Sequence, residues 1–172
     1  MRLPDLSAVP DHPAGVAVRR AGPKDAEGLA GLLGSAFPEV QWSADRVFRD
    51  LLDEPSVVEV LVIDGDEGLL ATASARYVEQ FPEAGYVHWV GTDPAFRGRS
   101  LGRTACLAVL GRFRSDGRTA AVLETDDSRL PAIASYLGLG FVPVYAAPDH
   151  ESRWSAVFRQ MAVAWRKGRK GT

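Results

Sequence analysis

Three arginines, two glycines and a serine fall within the seven positions Arg97-Gly98-Arg99-Ser100-Leu101-Gly102-Arg103. A strand-like run, Tyr86-Val87-His88-Trp89-Val90, leads towards them, and a helical apolar pattern from about Ser100 to Arg114 leads away. The first backbone N–H groups of a helix lack intrahelical partners and lie at the positive end of its dipole. A strand that feeds such a helix start through small residues is an anion site, and phosphate or pyrophosphate is its natural guest. Arg97, Arg99 and Arg103 add positive charge on the approach. Three further side chains carry titratable groups: His88 in the feeding strand, Glu124 at the end of an apolar run, and Tyr136 in Ala132-Ile133-Ala134-Ser135-Tyr136. Each also has a plain structural reading: a satisfied core histidine, a solvent-facing carboxylate, and a core tyrosine whose hydroxyl meets the backbone.

The elements that must position these groups can be read in chain order. Residues 1–15, with Pro4, Pro10 and Pro13, read as a flexible N-terminal arm. Residues 16–166 read as one domain, and residues 167–172 as a basic tail. Val16–Arg20 is a short strand, and Gly22-Pro23 opens a helix along Ala26, Leu29, Leu33 and Ala36. Ser43 caps a second helix with Val47, Phe48, Leu51 and Leu52 on one face. Val57–Ile63 and Leu69–Tyr77 form a strand pair around an Asp/Gly turn. Ala71, Ala73 and Ala75 share one face of the second strand, which fits either close helix packing or a ligand cleft. After the central loop and its helix come a strand at Thr119–Thr125, a short helix at Leu130–Leu139 and a strand at Phe141–Tyr145. Trp154, Phe158, Met161 and Trp165 then recur at helical spacing, the pattern of a core-facing stripe.

Composition narrows the class. The chain has 172 residues, is 46% hydrophobic and 24% charged, and carries a net charge of −2. No global field favours nucleic acid. No apolar run reaches the ~18 residues of a membrane span and no signal-peptide pattern opens the chain, so a cytoplasmic protein is the default expectation. The single Cys106 lies in the helical pattern as an inert buried thiol. His12, His88 and His150 are scattered without metal-ligand spacing, so no metal is expected. Neither Gly-x-x-x-x-Gly-Lys-Ser/Thr nor Gly-x-Gly-x-x-Gly occurs, which sets aside the P-loop and dinucleotide readings.

Arg97-Gly98-Arg99-Ser100-Leu101-Gly102 resembles the acyl-coenzyme A loop of the GNAT superfamily of N-acetyltransferases, Arg/Gln-x-x-Gly-x-Gly/Ala, with Ser100 where the family usually has Gly. One helix and one strand later, Ala132-Ile133-Ala134-Ser135-Tyr136 and Gly140-Phe141 resemble the second hallmark of that family. Arg129 stands where many members carry Asn, and the C-terminus reads as a helix where many have a strand. Asp126-Asp127-Ser128-Arg129-Leu130-Pro131 is similar to a family subset near mycothiol synthase. The resemblance implies an α/β (α+β) fold, a mixed and mostly antiparallel sheet with helices on both faces and a parallel pair, at Tyr86–Val90 and Thr119–Glu124, that splays apart. It implies acetyl-CoA as co-substrate, with pyrophosphate on the N–H groups of Arg97, Gly98, Arg99, Ser100, Leu101, Gly102 and Arg103. Pantetheine would pair with backbone near Val90, Gly91 and Thr92.

The implied reaction is direct acetyl transfer to a primary amine, on a small molecule or a peptide. An amine attacks only when neutral, so Glu124 or His88 is the candidate base, with a partly buried Glu124 preferred. Tyr136 is the candidate acid for the departing thiolate. The alternative is a catalytically silent acyl-CoA-binding module. The sequence leaves a homodimer and the identity of the amine open.

Overall fold

The dipeptide Asp66-Glu67 joins β3 (Val57–Gly65) to β4 (Gly68–Arg76) as an antiparallel hairpin closed by the pair Gly65↔Gly68. Both strands are rich in β-branched or small residues, and their centres are buried. The protein is described over residues 1–168 by a computed structural model; residues 169–172 of the basic tail lie outside the described residues. Two compact units are distinguished, Pro4–Val122 and Met1–Leu3 together with the chain from Leu123 on.

In the larger unit, β2 (Arg19–Arg20), β5 (Ala84–Thr92) and β6 (Ala120–Val122) complete a sheet of order β6-β5-β4-β3-β2. Neighbouring strands are antiparallel except β5 and β6. This is the mostly antiparallel mixed sheet with one parallel pair that the sequence led us to expect. The first strand is shorter than the expected Val16–Arg20. Arg19 instead uses its guanidinium, gripping Asp25 at 2.9 and 2.8 Å and Asp64 at 2.6 and 2.7 Å, and its charge holds both carboxyls below their usual range. Asp25 also accepts from the Gly22 N–H at 2.8 Å, which fixes the turn leading into α1 (Ala26–Ala36).

Ser43 caps α2 (Ala44–Val47) by accepting from the Arg46 N–H at 3.2 Å, and a π-helical turn, Phe48–Leu52, extends it. Leu29, Leu33, Val47 and Leu51 from this side pack with Val60 and Val62 of β3 into one cluster. Helix α3 (Leu101–Ser115) packs across β4 and β5. Ala71, Ala73 and Ala75 are fully buried, and Val87, opposite Ala75, is buried as well. On the same β5 face as Val87, a Cβ on Gly85 would lie 2.2 Å from the ring of Phe113 in α3. The small-residue face therefore serves close helix packing. Residues 1–15, read above as a loose arm, contain buried Leu3, Leu6 and Val9. Within the larger unit the Leu6 N–H donates to Thr119 O at 2.9 Å, and Arg114 donates to Val9 O at 2.6 Å and pairs with Asp11.

The Gly85 contact gives a direct stability test. Gly85→Ala forces a methyl into a fully buried ring and should cost about 2–3 kcal/mol, seen as a lower denaturation midpoint. Adding Phe113→Leu should recover part of that loss, because a smaller side chain opens the space; no recovery would place the strain elsewhere.

The smaller unit holds β1 (Arg2–Leu3), α4 (Leu130–Leu137) and α5 (His150–Gly168). The expected strand at Phe141–Tyr145 reduces to one bridge, in which Arg2 and Val142 exchange hydrogen bonds of 2.9 and 2.8 Å. Pro143 has no N–H to continue it. The strand expected to reach Thr125 ends at Val122. The aromatic stripe of α5 is not a core stripe over its described side chains: Phe158 is 42% exposed, whereas its neighbour Val157 is buried. Among the described residues, no helix is long and apolar enough to cross a membrane and no group of three His, Cys, Asp or Glu forms a metal site.

Candidate functional site

β5 carries the feature that shapes the site. Its register against β4 runs Thr72↔Gly91 and then Ser74↔His88, so two steps along β4 match three along β5. The extra residue is a bulge, a device that re-aims side chains next to functional sites. Trp89 within it adopts φ 45°, the left-handed region that a tryptophan rarely enters. Packing compensates: the Trp89 ring meets Phe37 at 4.9 Å and Trp42 at 4.8 Å, both edge to face. Simple alternation would put His88 and Trp89 on opposite faces, yet their rings lie 5.3 Å apart.

The parallel ladder between β5 and β6 covers three pairs and ends at Tyr86↔Val122, while β5 continues to Thr92. The edge of β5 that carries Val90, Gly91 and Thr92 therefore outruns β6. The chain then makes a tight turn at Pro94–Phe96, capped by Asp93 accepting from the Ala95 N–H at 2.8 Å, and enters the loop. Among the described residues, the N–H groups of Gly98, Arg99 and Ser100 have no acceptor within the chain, and those of Leu101, Gly102 and Arg103 belong to the open first turn of α3. Arg97, Arg99 and Arg103 make no ion pair among the described residues, and Arg99 lies 5.0 Å over the Phe96 ring. Six successive N–H groups beside three unpaired guanidiniums form an anion cradle.

The backbone sets what two residues of the loop must be. Ser100 occupies the N-cap position, but its side chain makes no cap hydrogen bond and its φ is 61°. A glycine-like backbone is thus what this position asks of its residue. Ser100→Gly should remove the left-handed penalty at a smaller cost in chain entropy and raise stability by up to about 1 kcal/mol; a melting curve checks it, and a destabilised variant would contradict it. Gly102 is small for the fold's sake: a Cβ there would lie 2.8 Å from Thr92 Oγ1 and 3.8 Å from Val90 Cγ1. The glycine brings α3 close to β5.

His88 is half-buried, and its ring lies 5.8 Å from Tyr86. Burial pushes its pKa down to about 4, and the Arg76 charge acts in the same direction. Its Nδ1 is buried without a partner, so it is not the satisfied core histidine that was one expectation. Cys106 is fully buried with its pKa pushed up to about 12, as an inert thiol requires. The remaining candidates belong to the smaller unit. Tyr136 is buried on α4, its ring 5.9 Å from Phe141, and its carbonyl accepts from the Leu139 and Phe141 N–H groups at 3.0 Å each. Glu124 is exposed, because the strand stops short of it, so the expected partial burial is corrected. The Glu124 charge is felt by the Met1 ammonium, which donates to Leu123 O at 2.8 Å and whose pKa burial lowers. Sequence reasoning missed Trp89, Ser74 and Gly85, whose roles depend on the β4–β5 register and on a close approach of α3.

Known proteins resemble this chain in sequence and in fold. Residues 28–141, from α1 to the end of the second motif, match the Acetyltransferase (GNAT) family. A protein named mycothiol acetyltransferase from Segniliparus rotundus is 33% identical over 143 residues, covering 77% of this chain and 54% of its own. The chain spans about half the length of the curated relatives it matches over most of its extent. Among solved structures, one named Putative acetyltransferase, from Agrobacterium tumefaciens, superposes with a TM-score of 0.64 at 24% identity, covering 77% of this chain and 96% of that one. An aminoglycoside N-acetyltransferase, AAC(6')-Iy, in complex with CoA gives a TM-score of 0.64 at 17% identity, covering 77% and 91%. These structures show the fold. The strand, loop and helix that build the anion cradle lie wholly inside the matched segment, and the chain belongs to the GNAT acetyltransferase family, near the mycothiol acetyltransferases.

Proposed function

We propose that the protein transfers an acetyl group from acetyl-CoA directly to a primary amine. The observation that carries this reading is the cradle of Gly98–Arg103 N–H groups with unpaired Arg97, Arg99 and Arg103. Its reach and charge suit a pyrophosphate. Val90, Gly91 and Thr92 offer backbone on the strand edge that outruns β6, where an amide-bearing pantetheine would continue the ladder. The thioester supplies an activated acyl group; the chain's part is to hold it, receive the amine's proton and return one to sulfur.

Glu124 takes the amine's proton, directly or through water. His88 is unsuited to that task, because an imidazolium there would be half-buried beside Arg76. The pH–rate profiles of Glu124→Gln and His88→Gln separate the two: loss of the acidic limb in Glu124→Gln supports the assignment, and its loss only in His88→Gln reverses it. Tyr136 donates to the departing thiolate. The relatives named mycothiol acetyltransferase make an amine of mycothiol metabolism the first acceptor to try, ahead of peptide amines. No metal is needed for the chemistry. The second reading, a silent acyl-CoA-binding module, uses the same cradle and needs no acid at Tyr136. Incubation with acetyl-CoA and pooled amines, read by mass spectrometry, tests the choice. An acetylated amine with stoichiometric thiol release is expected; binding of acetyl-CoA without any acetylated product would favour the silent module.

A further inference from the structure

Ser74 and His88 stand directly opposite one another in the β4–β5 ladder, and each carries a buried polar atom without a hydrogen-bond partner, Ser74 Oγ and His88 Nδ1. Two such atoms on one register pair are unexpected, because buried polar groups are generally hydrogen-bonded. Thr72, two residues before Ser74 on the same face, donates to Leu61 O at 2.9 Å. Directly paired residues of an antiparallel ladder project to the same face with Cβ atoms about 4.5–5.5 Å apart. A serine oxygen is one bond from its Cβ and an imidazole Nδ1 two bonds from its own. That spacing puts the two atoms within hydrogen-bond reach of one another through side-chain rotation, although neither makes the bond among the described residues. The imidazole is held for such a contact, with the Trp89 ring at 5.3 Å and the Tyr86 ring at 5.8 Å.

The direction of the bond follows from burial. Ser74 is fully buried. If Nδ1–H donated to Oγ, the serine proton would be left without an acceptor, and orphaned buried donors are rarer than under-used acceptors. With Oγ–H donating to Nδ1, the buried serine proton has an acceptor and the imidazole carries its own proton on Nε2. We propose that Ser74 is the positioning residue of His88, donating to Nδ1 and fixing the Nε2–H tautomer, so that His88 meets the reacting acyl group as a hydrogen-bond donor. The second nitrogen is not among the buried unpartnered atoms, which leaves Nε2–H available to a ligand. A neutral imidazole donor stabilises negative charge that develops on an oxygen without itself changing charge. Burial first, and then the charge of the half-buried Arg76 guanidinium, which donates to Ser56 Oγ at 2.7 Å, keep the imidazole from taking a second proton. The tautomer assignment rests on the Ser74–His88 register pair and its two unpartnered atoms; its use in the reaction rests on the acetyl-transfer reading.

Nitrogen-15 NMR of the histidine ring in the full chain tests the tautomer without any substrate. At neutral pH the His88 signals should show Nδ1 as the acceptor and Nε2 as the protonated nitrogen. Ser74→Ala should shift the ring towards a tautomer mixture, and Ser74→Thr should restore the Nε2–H form. An Nδ1–H tautomer in the unaltered protein, or a tautomer indifferent to Ser74→Ala, overturns the proposal. In the transfer assay Ser74→Ala should lower kcat about tenfold, less than the 10²–10³ of deleting a donor outright, with KM for acetyl-CoA unchanged and kcat recovered in Ser74→Thr. Unchanged kcat with the expected tautomer overturns the catalytic use of His88. Absence of turnover in the unaltered protein on every amine, with the expected tautomer, overturns the acetyl-transfer reading and upholds the Ser74 assignment. Ser74→Ala removes only the hydroxyl oxygen, and a melting curve confirms that the variant is folded.

Discussion

Tyr136→Phe is expected to lower turnover about a hundredfold while acetyl-CoA binding stays nearly unchanged. A general acid contributes about 10²–10⁴-fold, and a thiolate is a tolerable leaving group, so the lower end applies. The substitution is conservative in packing. The ring meets Phe141 edge to face at 5.9 Å, and the backbone is fixed by the Leu139 and Phe141 N–H groups donating to the Tyr136 carbonyl. Phenylalanine keeps both. A fall in kcat and kcat/KM together, with KM for acetyl-CoA constant, is the signature of a group that acts only in the transition state. A melting temperature within a few degrees of the unaltered protein certifies the fold. Full turnover with a true acceptor would leave Tyr136 a packing residue.

The second large effect is on stability in mild acid. Burial, with the Arg76 charge, holds the pKa of folded His88 down at about 4, against about 6.5 for a free imidazole. The unfolded chain binds a proton at His88 once the pH falls below that higher value, while the folded chain refuses it. Stability is therefore complete at neutral pH, declines as the pH falls through the interval, and levels off below about 4. One proton is worth about 1.4 kcal/mol per pH unit, so the total is about 2–3 kcal/mol once the residual exposure of the ring is discounted. Asp25, Asp64, Asp116 and Asp127, held below their usual range by guanidinium or hydroxyl partners, lose their contribution only at lower pH. Urea titrations from pH 7 to 4 should show the decline, and His88→Gln should flatten it. An equal slope in that variant would mean that another group refuses the proton.

Much of the architecture is legible in the sequence because its signals are local. The apolar β-branched run at Val57–Ile63, the Asp/Gly turn and the alanine alternation make the β3–β4 hairpin, and Ser43 makes its cap. The loop is legible for the same reason: Arg97 to Arg103 holds its chemistry in consecutive residues, and consecutive N–H groups build the cradle. What escaped depends on register. Trp89 takes its left-handed backbone because one extra β5 residue must be absorbed, and its ring is then secured by Phe37 and Trp42, distant in sequence. Ser74 and His88 are fourteen positions apart and become a pair only once that bulge sets the ladder. Strand ends were overestimated where propensity outlasts pairing. Phe141–Tyr145 reads as a strand by residue type, but Pro143 cannot donate and only Val142 is bridged. Glu124 was expected to be part-buried for the same reason, and it is exposed because β6 stops at Val122.

Calorimetric titration of coenzyme A is the most direct test of the cradle on which acetyl transfer depends. Gly102→Val is a poor probe, since its side chain would strike Thr92 before any ligand. Arg97→Glu/Arg99→Glu is better: both side chains are exposed and make no ion pair among the described residues, so the fold is spared while the field at the loop reverses. The unaltered protein should bind coenzyme A one to one, more weakly as salt rises, and the double variant should lose at least about a hundredfold in affinity, or roughly 2.7 kcal/mol. Equal affinity in the two proteins would contradict the placement of the pyrophosphate at Arg97–Arg103.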